Sequence, residues 1–168
     1  MAIEVSGNGH LPWPPTANSP SALQNITLFL TSYDKSRNFT ISNGTAPDNQ
    51  TDAYVGPVLD LEPSSTVKHV NWRWPACFVG QGMSDSDSAR GDYNISMHQT
   101  FRWNETEYYT VFHLPITVSN GINKSAGRVD CSVLENKMLS PEIVAESSDS
   151  LPGQPWVGNG ASAGVKTG

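Results

Sequence analysis

The chain has 168 residues, enough for one domain with a sizeable hydrophobic core. Its 37% hydrophobic and 15% charged residues are typical of a globular protein that is low in charge for the cytosol. A net charge of −6 excludes a basic surface for nucleic acid, and the apolar runs are too short to cross a membrane.

The N-terminal 24 residues predict an extended arm, because proline disrupts both helices and central strands. Four prolines fall here, at Pro12, Pro14, Pro15 and Pro20. Residues 25–146 then carry the β-domain, and the Ser/Gly/Pro-rich residues 147–168 predict a disordered, flexible tail.

Short alternating segments predict the strands of this domain. Side chains alternate faces along a strand, and five segments show this pattern in whole or in part: 25–32, 38–42, 54–61, 67–74 and 128–134. Many turns and no convincing helix lie between them. We therefore predict an all-β fold, an antiparallel β-sandwich.

Residues 93–119 predict a long β-hairpin at the centre of the fold. The apolar side chains stand at odd-numbered positions before the turn and at even-numbered positions after it. Side chains of paired residues lie on the same face, so both apolar sets share a face only if the two residue numbers of each cross-strand pair add up to an odd value. A two-residue turn at Glu105 and Thr106 predicts that Met97 pairs with Leu114 and His98 with His113.

The acceptor pattern for N-glycosylation occurs seven times, whereas 13 Asn and 32 Ser and Thr predict about 2.5 matches by chance. The motif is typical of surface positions in secreted proteins. A Ser/Thr/Asn-rich surface with accidental matches is the alternative. The acceptors are Asn25, Asn38, Asn43, Asn49, Asn94, Asn104 and Asn123.

The two cysteines, Cys77 and Cys131, predict a disulfide in a secreted chain. Two buried thiols are the alternative. The chain contains no Cys-x-x-Cys, so neither a thioredoxin-type site nor a zinc ribbon is indicated.

The predicted register places His98 and His113 opposite each other on the outer face of the hairpin. Facing imidazoles could bind copper or zinc with a further ligand, for which His69 is the candidate. They could also form a pH-sensitive spot, since two imidazolium ions repel each other. Two solvated histidines on a polar face, with no cofactor, are the simpler interpretation.

Four aromatic residues are candidates for ligand binding. Trp72 and Trp74 share one face of a predicted strand, where they form either a sugar-stacking platform or part of the core. Trp103 and Tyr108 lie near the tip of the hairpin. The sequence contains no established catalytic motif, and carboxylate pairs for glycoside hydrolysis are defined only by distance in space.

In composition the chain resembles small secreted proteins of filamentous fungi, with a short domain, many acceptor sites and a loose tail. The small residues 160–164 also resemble the region before a lipid-anchor site. The resemblance implies a cell-surface or host-facing role, such as that of an effector or elicitor.

The sequence therefore predicts a secreted, N-glycosylated protein that acts by binding a host protein or a glycan, without catalysis. A full-length precursor could be anchored at the cell surface. The alternative is a copper- or zinc-binding or carbohydrate-active sandwich that uses His98 and His113.

Overall fold

The computed structural model describes residues 1–6, 9–12, 14–16, 18–47, 53–80, 88–119 and 127–143. The strands are β1 (Ala2–Glu4), β2 (Ala22–Ser32), β3 (Arg37–Ser42), β4 (Val67–His69), β5 (Gly91–Trp103) and β6 (Thr106–Val118). Two antiparallel sheets form, one of four strands in the order β3-β2-β5-β6 and one of β1 and β4. The predicted all-β fold is confirmed. The predicted tail, residues 147–168, lies outside the described residues.

The four-stranded sheet has two faces of different chemistry. Its core face carries buried apolar side chains that alternate along each strand: Ile26, Leu28, Leu30, Phe39, Tyr93 and Phe101. Its outer face carries the residues between them. The β2–β5 register aligns Leu30 with Ile95 on the core face and Phe29 with Ser96 on the outer face.

The small sheet closes part of the core from the other side. Residues 1–24, predicted as an extended arm, contain β1 and the first residues of β2. Ile3 and Val5 are buried with Val70, and the backbone NH of Val70 donates to the carbonyl of Met1. The amino-terminal segment is therefore integrated into the hydrophobic core.

The predicted hairpin forms, but its register differs from the prediction. Asn104 and Glu105 occupy the turn with φ of 49° and 67°, so Trp103 pairs with Thr106. A two-residue turn with two positive φ angles favours Asn over the β-branched Thr106, which the prediction had placed there. The apolar parity is preserved, because the paired numbers still sum to an odd value.

Three further predicted strands are wrong in whole or in part. Residues 54–61 contain a 3₁₀ turn, Val58–Asp60, that begins directly after Pro57. The strand predicted over 67–74 is limited to β4, because its partner β1 is only three residues long.

The third correction lies at residues 128–134. Cys131–Leu134 forms a single helical turn, α1, where a strand was predicted. The side chain of Asp130 caps it by accepting a hydrogen bond from the backbone NH of Ser132 at 2.9 Å.

The predicted disulfide is confirmed between Cys77 and Cys131. It joins the 3₁₀ turn Ala76–Phe78 to α1, and so fastens the segment that follows α1 to the domain. Within the described part of the chain, no helix is long and apolar enough to span a membrane.

Candidate functional site

A cleft of about 280 Å³ opens on the outer face of the four-stranded sheet; we call it the histidine cleft. Its floor comes from β2, β5 and β6, where the register sets Phe29, Ser96 and His113 side by side. His98 lies two residues further along β5 and pairs with Val111. The predicted direct pairing of His98 with His113 is therefore wrong, yet both histidines line the same cleft as diagonal neighbours.

The wall of the histidine cleft is the segment 136–139, which follows α1. Asn136 fastens this segment to β3, because its backbone NH donates to the carbonyl of Asn38 at 2.7 Å. Its side-chain Nδ2 also donates to Oγ1 of Thr40 at 2.8 Å. Met138 and Leu139 then extend over the floor and supply most of the apolar part of the wall.

Each histidine is held by a hydroxyl group at its Nδ1 atom. Nδ1 of His98 lies 2.6 Å from the phenol oxygen of Tyr109, and Nδ1 of His113 lies 2.9 Å from Oγ of Ser96. Among the described residues, neither Nε2 atom has a hydrogen-bond partner. Each ring therefore keeps one nitrogen that the described residues do not engage.

Burial determines the charge of both imidazoles. It lowers the pKa of His98 to about 4, with a smaller contribution from the neighbouring His113. Burial also lowers the pKa of His113 and raises that of Tyr109. At neutral pH the two imidazoles that line the cleft are therefore uncharged, and the phenol of Tyr109 behind His98 is protonated.

The hydroxyl of Ser96 is not accessible as a nucleophile. Ser96 is the hydroxyl beside His113, but its exposed fraction is 0% and its Oγ also lies 2.7 Å from Oγ1 of Thr31. A nucleophile must reach its substrate, and this hydroxyl is enclosed in the sheet. The other groups that line the cleft are the imidazoles, the ring of Phe29, the wall residues and the side chains of Thr31, Tyr33 and Asn38.

The predicted third metal ligand, His69, lies outside the histidine cleft. His69 lies on β4 and contacts the carboxylate of Glu62 at 2.9 Å. Over the ranges that the structure describes, no group of three His, Cys, Asp or Glu residues is placed to hold a metal ion. Of the three predicted ligands, the fold thus brings together His98 and His113.

The predicted aromatic binding residues are half-buried and packed against the core. The rings of Trp72 and Trp74 lie 5.3 Å apart, and that of Trp74 lies at the same distance from Phe78. Tyr108 stacks on Phe101 at 5.1 Å and 8°. Trp103 meets the ring of His10 edge-on at 5.6 Å. These residues support the core and the hairpin tip, and they lie outside the histidine cleft.

The predicted glycan acceptors differ in exposure. Three are exposed: Asn25, Asn43 and Asn104. Two are half-buried, Asn38 and Asn94, and the first of these lines the histidine cleft. Asn49 and Asn123 lie outside the described residues.

The sequence interpretation missed Phe29, Ser96, Tyr109 and the wall segment as parts of a site. One signal was present: Phe29 is an aromatic residue on the polar parity of β2, between Thr27 and Thr31. A large apolar side chain on that face indicates that something covers the face. Nothing in the sequence showed that residues 136–139 provide the cover, because this contact depends on the disulfide-linked turn α1.

Comparison with models of protein families, with curated proteins and with solved structures finds no match for this chain.

Proposed function

We propose that this chain is a secreted, N-glycosylated binding protein that acts at a cell surface or on a host, as an effector does. Its partner is a host protein or a glycan, and it acts without catalysis. The observation that carries this proposal is the histidine cleft, a cavity lined by two neutral imidazoles and an apolar ring, in which the hydroxyl beside His113, that of Ser96, is fully buried.

The disulfide and the acceptor sites support an extracellular location. A disulfide between Cys77 and Cys131 persists in an oxidising compartment. Asn43 is exposed in a turn, and its side-chain oxygen accepts hydrogen bonds from the backbone NH and the hydroxyl of Thr45 at 3.0 and 2.7 Å. An exposed turn can carry a glycan without disturbing the core.

Expression in a eukaryotic secretory host tests the location and the glycans together. We expect the purified chain to carry one intact disulfide and N-glycans that an endoglycosidase removes, with Asn25, Asn43 and Asn104 occupied. Mass spectrometry of the peptides measures both. A chain that is secreted without any glycan, or that is retained and reduced, would contradict the proposal.

Binding is tested by applying the glycosylated protein to arrays of glycans and host surface proteins. The matched variants are His113→Ala in the cleft and His69→Ala on β4. We expect a saturable partner whose binding is lost in the first variant and retained in the second. Loss of binding in both variants alike, or retention in both, would show that the histidine cleft is not the binding site.

A second candidate is a copper or zinc site at the Nε2 atoms of His98 and His113. Its support is that Nδ1 of each ring lies within hydrogen-bond distance of a hydroxyl, which fixes the orientation of the ring. A metal at Nε2 requires Nδ1 to carry the proton and donate it, so in this candidate the phenol of Tyr109 accepts from His98. Calorimetric titration with copper and zinc tests it. Saturable one-to-one binding that is lost in His98→Ala would favour the metal site, and no binding at micromolar metal would exclude it.

A further inference from the structure

The two imidazoles of the histidine cleft have partners of different hydrogen-bonding character. His98 meets the phenol of Tyr109, whereas His113 meets the hydroxyl of Ser96. A neutral imidazole has one donor and one acceptor nitrogen, so the partner at Nδ1 decides what Nε2 offers to a ligand.

Tyr109 makes Nε2 of His98 a donor. A phenol is a stronger hydrogen-bond donor than acceptor, and its distance of 2.6 Å to Nδ1 is short. Nδ1 of His98 therefore accepts from the phenol, and the single proton of the neutral ring lies on Nε2. The ring stays neutral near pH 7 because of its burial.

A chain of hydroxyl groups makes Nε2 of His113 an acceptor. Oγ1 of Thr31 lies 2.7 Å from Oγ of Ser96, where either hydroxyl can donate, and 3.5 Å from the carbonyl oxygen of Asn94. We assign the proton of Thr31 to that carbonyl, so that Ser96 donates to Thr31. Ser96 has then used its proton and accepts from Nδ1 of His113 at 2.9 Å. The proton of His113 lies on Nδ1, and Nε2 presents a lone pair.

The two imidazoles thus offer one donor and one acceptor beside the ring of Phe29, in a cleft that the phenol of Tyr33 and the ammonium of Lys137 also line. A hydroxyl group satisfies both, since it donates one hydrogen bond and accepts others, whereas a carboxylate only accepts and an ammonium only donates. The cavity of about 280 Å³ is smaller than most sites for drug-sized ligands and fits a single ring. The amide oxygen of Asn38 is a further acceptor, buried and without a hydrogen-bond partner among the described residues.

We propose that the histidine cleft binds one neutral saccharide unit, with a hydroxyl held between Nε2 of His98 and Nε2 of His113 and the C–H face of the sugar against Phe29. This inference rests on the proposed binding function and names its ligand class. The saccharide can belong to a separate glycan or to the chain's own glycan on Asn38, which lines the cleft.

NMR of the unglycosylated, ¹⁵N-labelled protein tests the tautomers and the ligand together. At pH 7 we expect the proton on Nε2 of His98 and on Nδ1 of His113. Addition of methyl α-mannoside or N-acetylglucosamine should shift the ring signals of these two histidines, with saturation, and leave His69 unchanged. The control compound is 2-methyltetrahydropyran, a ring of similar shape without hydroxyl groups, which should shift them far less.

Two tyrosine variants test whether the phenol of Tyr109 makes Nε2 of His98 a hydrogen-bond donor to the ligand. Tyr109→Phe removes the phenol that orients His98, and we expect it to weaken saccharide binding about tenfold, the factor supplied by one ordinary hydrogen bond. Tyr108→Phe changes the neighbouring residue on the core face and should bind as the parent does. Equal affinities of the parent and both variants would overturn the proposed role of the tautomers.

The outcomes separate this inference from the proposed function. If the hydroxyl-free ring binds as well as the sugars, the saccharide inference is overturned and the cleft remains a binding site. If no probe, glycan or surface protein shifts the two histidines, both fail. If the ring signals of glycosylated protein already match the sugar-bound ones, and Asn38→Gln reverses this, the occupant is the chain's own glycan and the saccharide site is supported.

Discussion

The two faces of the four-stranded sheet bury their side chains for different reasons. The core face is closed by residues such as Leu28 and Leu30, which are fully buried and apolar. The outer face buries Ser96 fully and His98 partly, and both make hydrogen bonds there. The hydrophobic effect drives burial of the core face. Burial on the outer face depends instead on the covering segment 136–139 and on hydrogen bonds made by the buried hydroxyl and imidazole groups. The same strands therefore combine a hydrophobic core with a cleft in which the Nε2 atoms of His98 and His113 have no hydrogen-bond partner among the described residues.

The largest contrast between the faces is expected for phenylalanine truncations. Phe39 on the core face is fully buried against Phe78 and Tyr93, so Phe39→Ala should lower the free energy of unfolding by roughly 3–5 kcal/mol. Phe29 on the outer face is half-buried, and Phe29→Ala should cost roughly 1–2 kcal/mol, because less apolar area is removed from contact. Urea denaturation measures both. Equal losses would mean that the outer face is as tightly packed as the core.

The disulfide is expected to affect both faces at once. Replacing Cys77 and Cys131 with alanine releases a cross-link between residues 54 apart and should lower the free energy of unfolding by roughly 2–4 kcal/mol. It should also loosen the wall of the histidine cleft, because α1 precedes residues 136–139. Denaturation and hydrogen exchange at Met138 and Leu139 measure the two effects. Unchanged exchange at the wall would show that β3 alone holds it.

Acid should destabilise the outer face through His98. The pKa of His98 is about 4 in the folded chain and near the ordinary 6.5 in the unfolded chain. Between these values the unfolded state binds the proton and the folded state does not, so the stability present above pH 6.5 falls as the pH drops toward 4. The loss attributable to this group reaches roughly 3 kcal/mol.

Denaturation curves at several pH values test this dependence. His98→Gln should reduce the slope between pH 6.5 and 4, with a remainder from His113, whose pKa is also lowered by burial. The variant His69→Gln, at an exposed histidine beside Glu62, should leave the slope of the parent. An unaltered slope in His98→Gln would mean that other groups account for the acid sensitivity.

The smallest effects on stability are expected where residues 135 and 136 contact β3. Asn136→Ala removes the hydrogen bond to Oγ1 of Thr40 and should lower the free energy of unfolding by about 1 kcal/mol, because Thr40 is buried. Glu135→Gln removes the exposed ion pair with Arg37 at 3.1 Å and should change it by less than about 0.5 kcal/mol. A larger effect for Glu135→Gln than for Asn136→Ala would reverse this order of contributions.

The sequence by itself determined the two strands predicted at 25–32 and 38–42, the central hairpin, the side-chain parity of its apolar face and the pairing of the two cysteines. These features depend on local periodicity or on simple counting, which a single chain records directly. The same periodicity placed His98 and His113 on one face. This prediction remains correct in the observed register, where the residue numbers of each pair add up to two less than predicted.

The tertiary structure decided the ends of several strands and the histidine cleft, whereas the register followed from a local turn preference that the sequence records and the prediction misassigned. A type of turn selects between registers of equal parity, so the preference of Asn104 for a positive φ moved His113 from His98 to Ser96. The length of β4 depended on its partner β1, which is distant in sequence. The cleft required residues 136–139 to cross β3, a contact between segments about a hundred residues apart, and such contacts follow from packing, which local patterns do not encode.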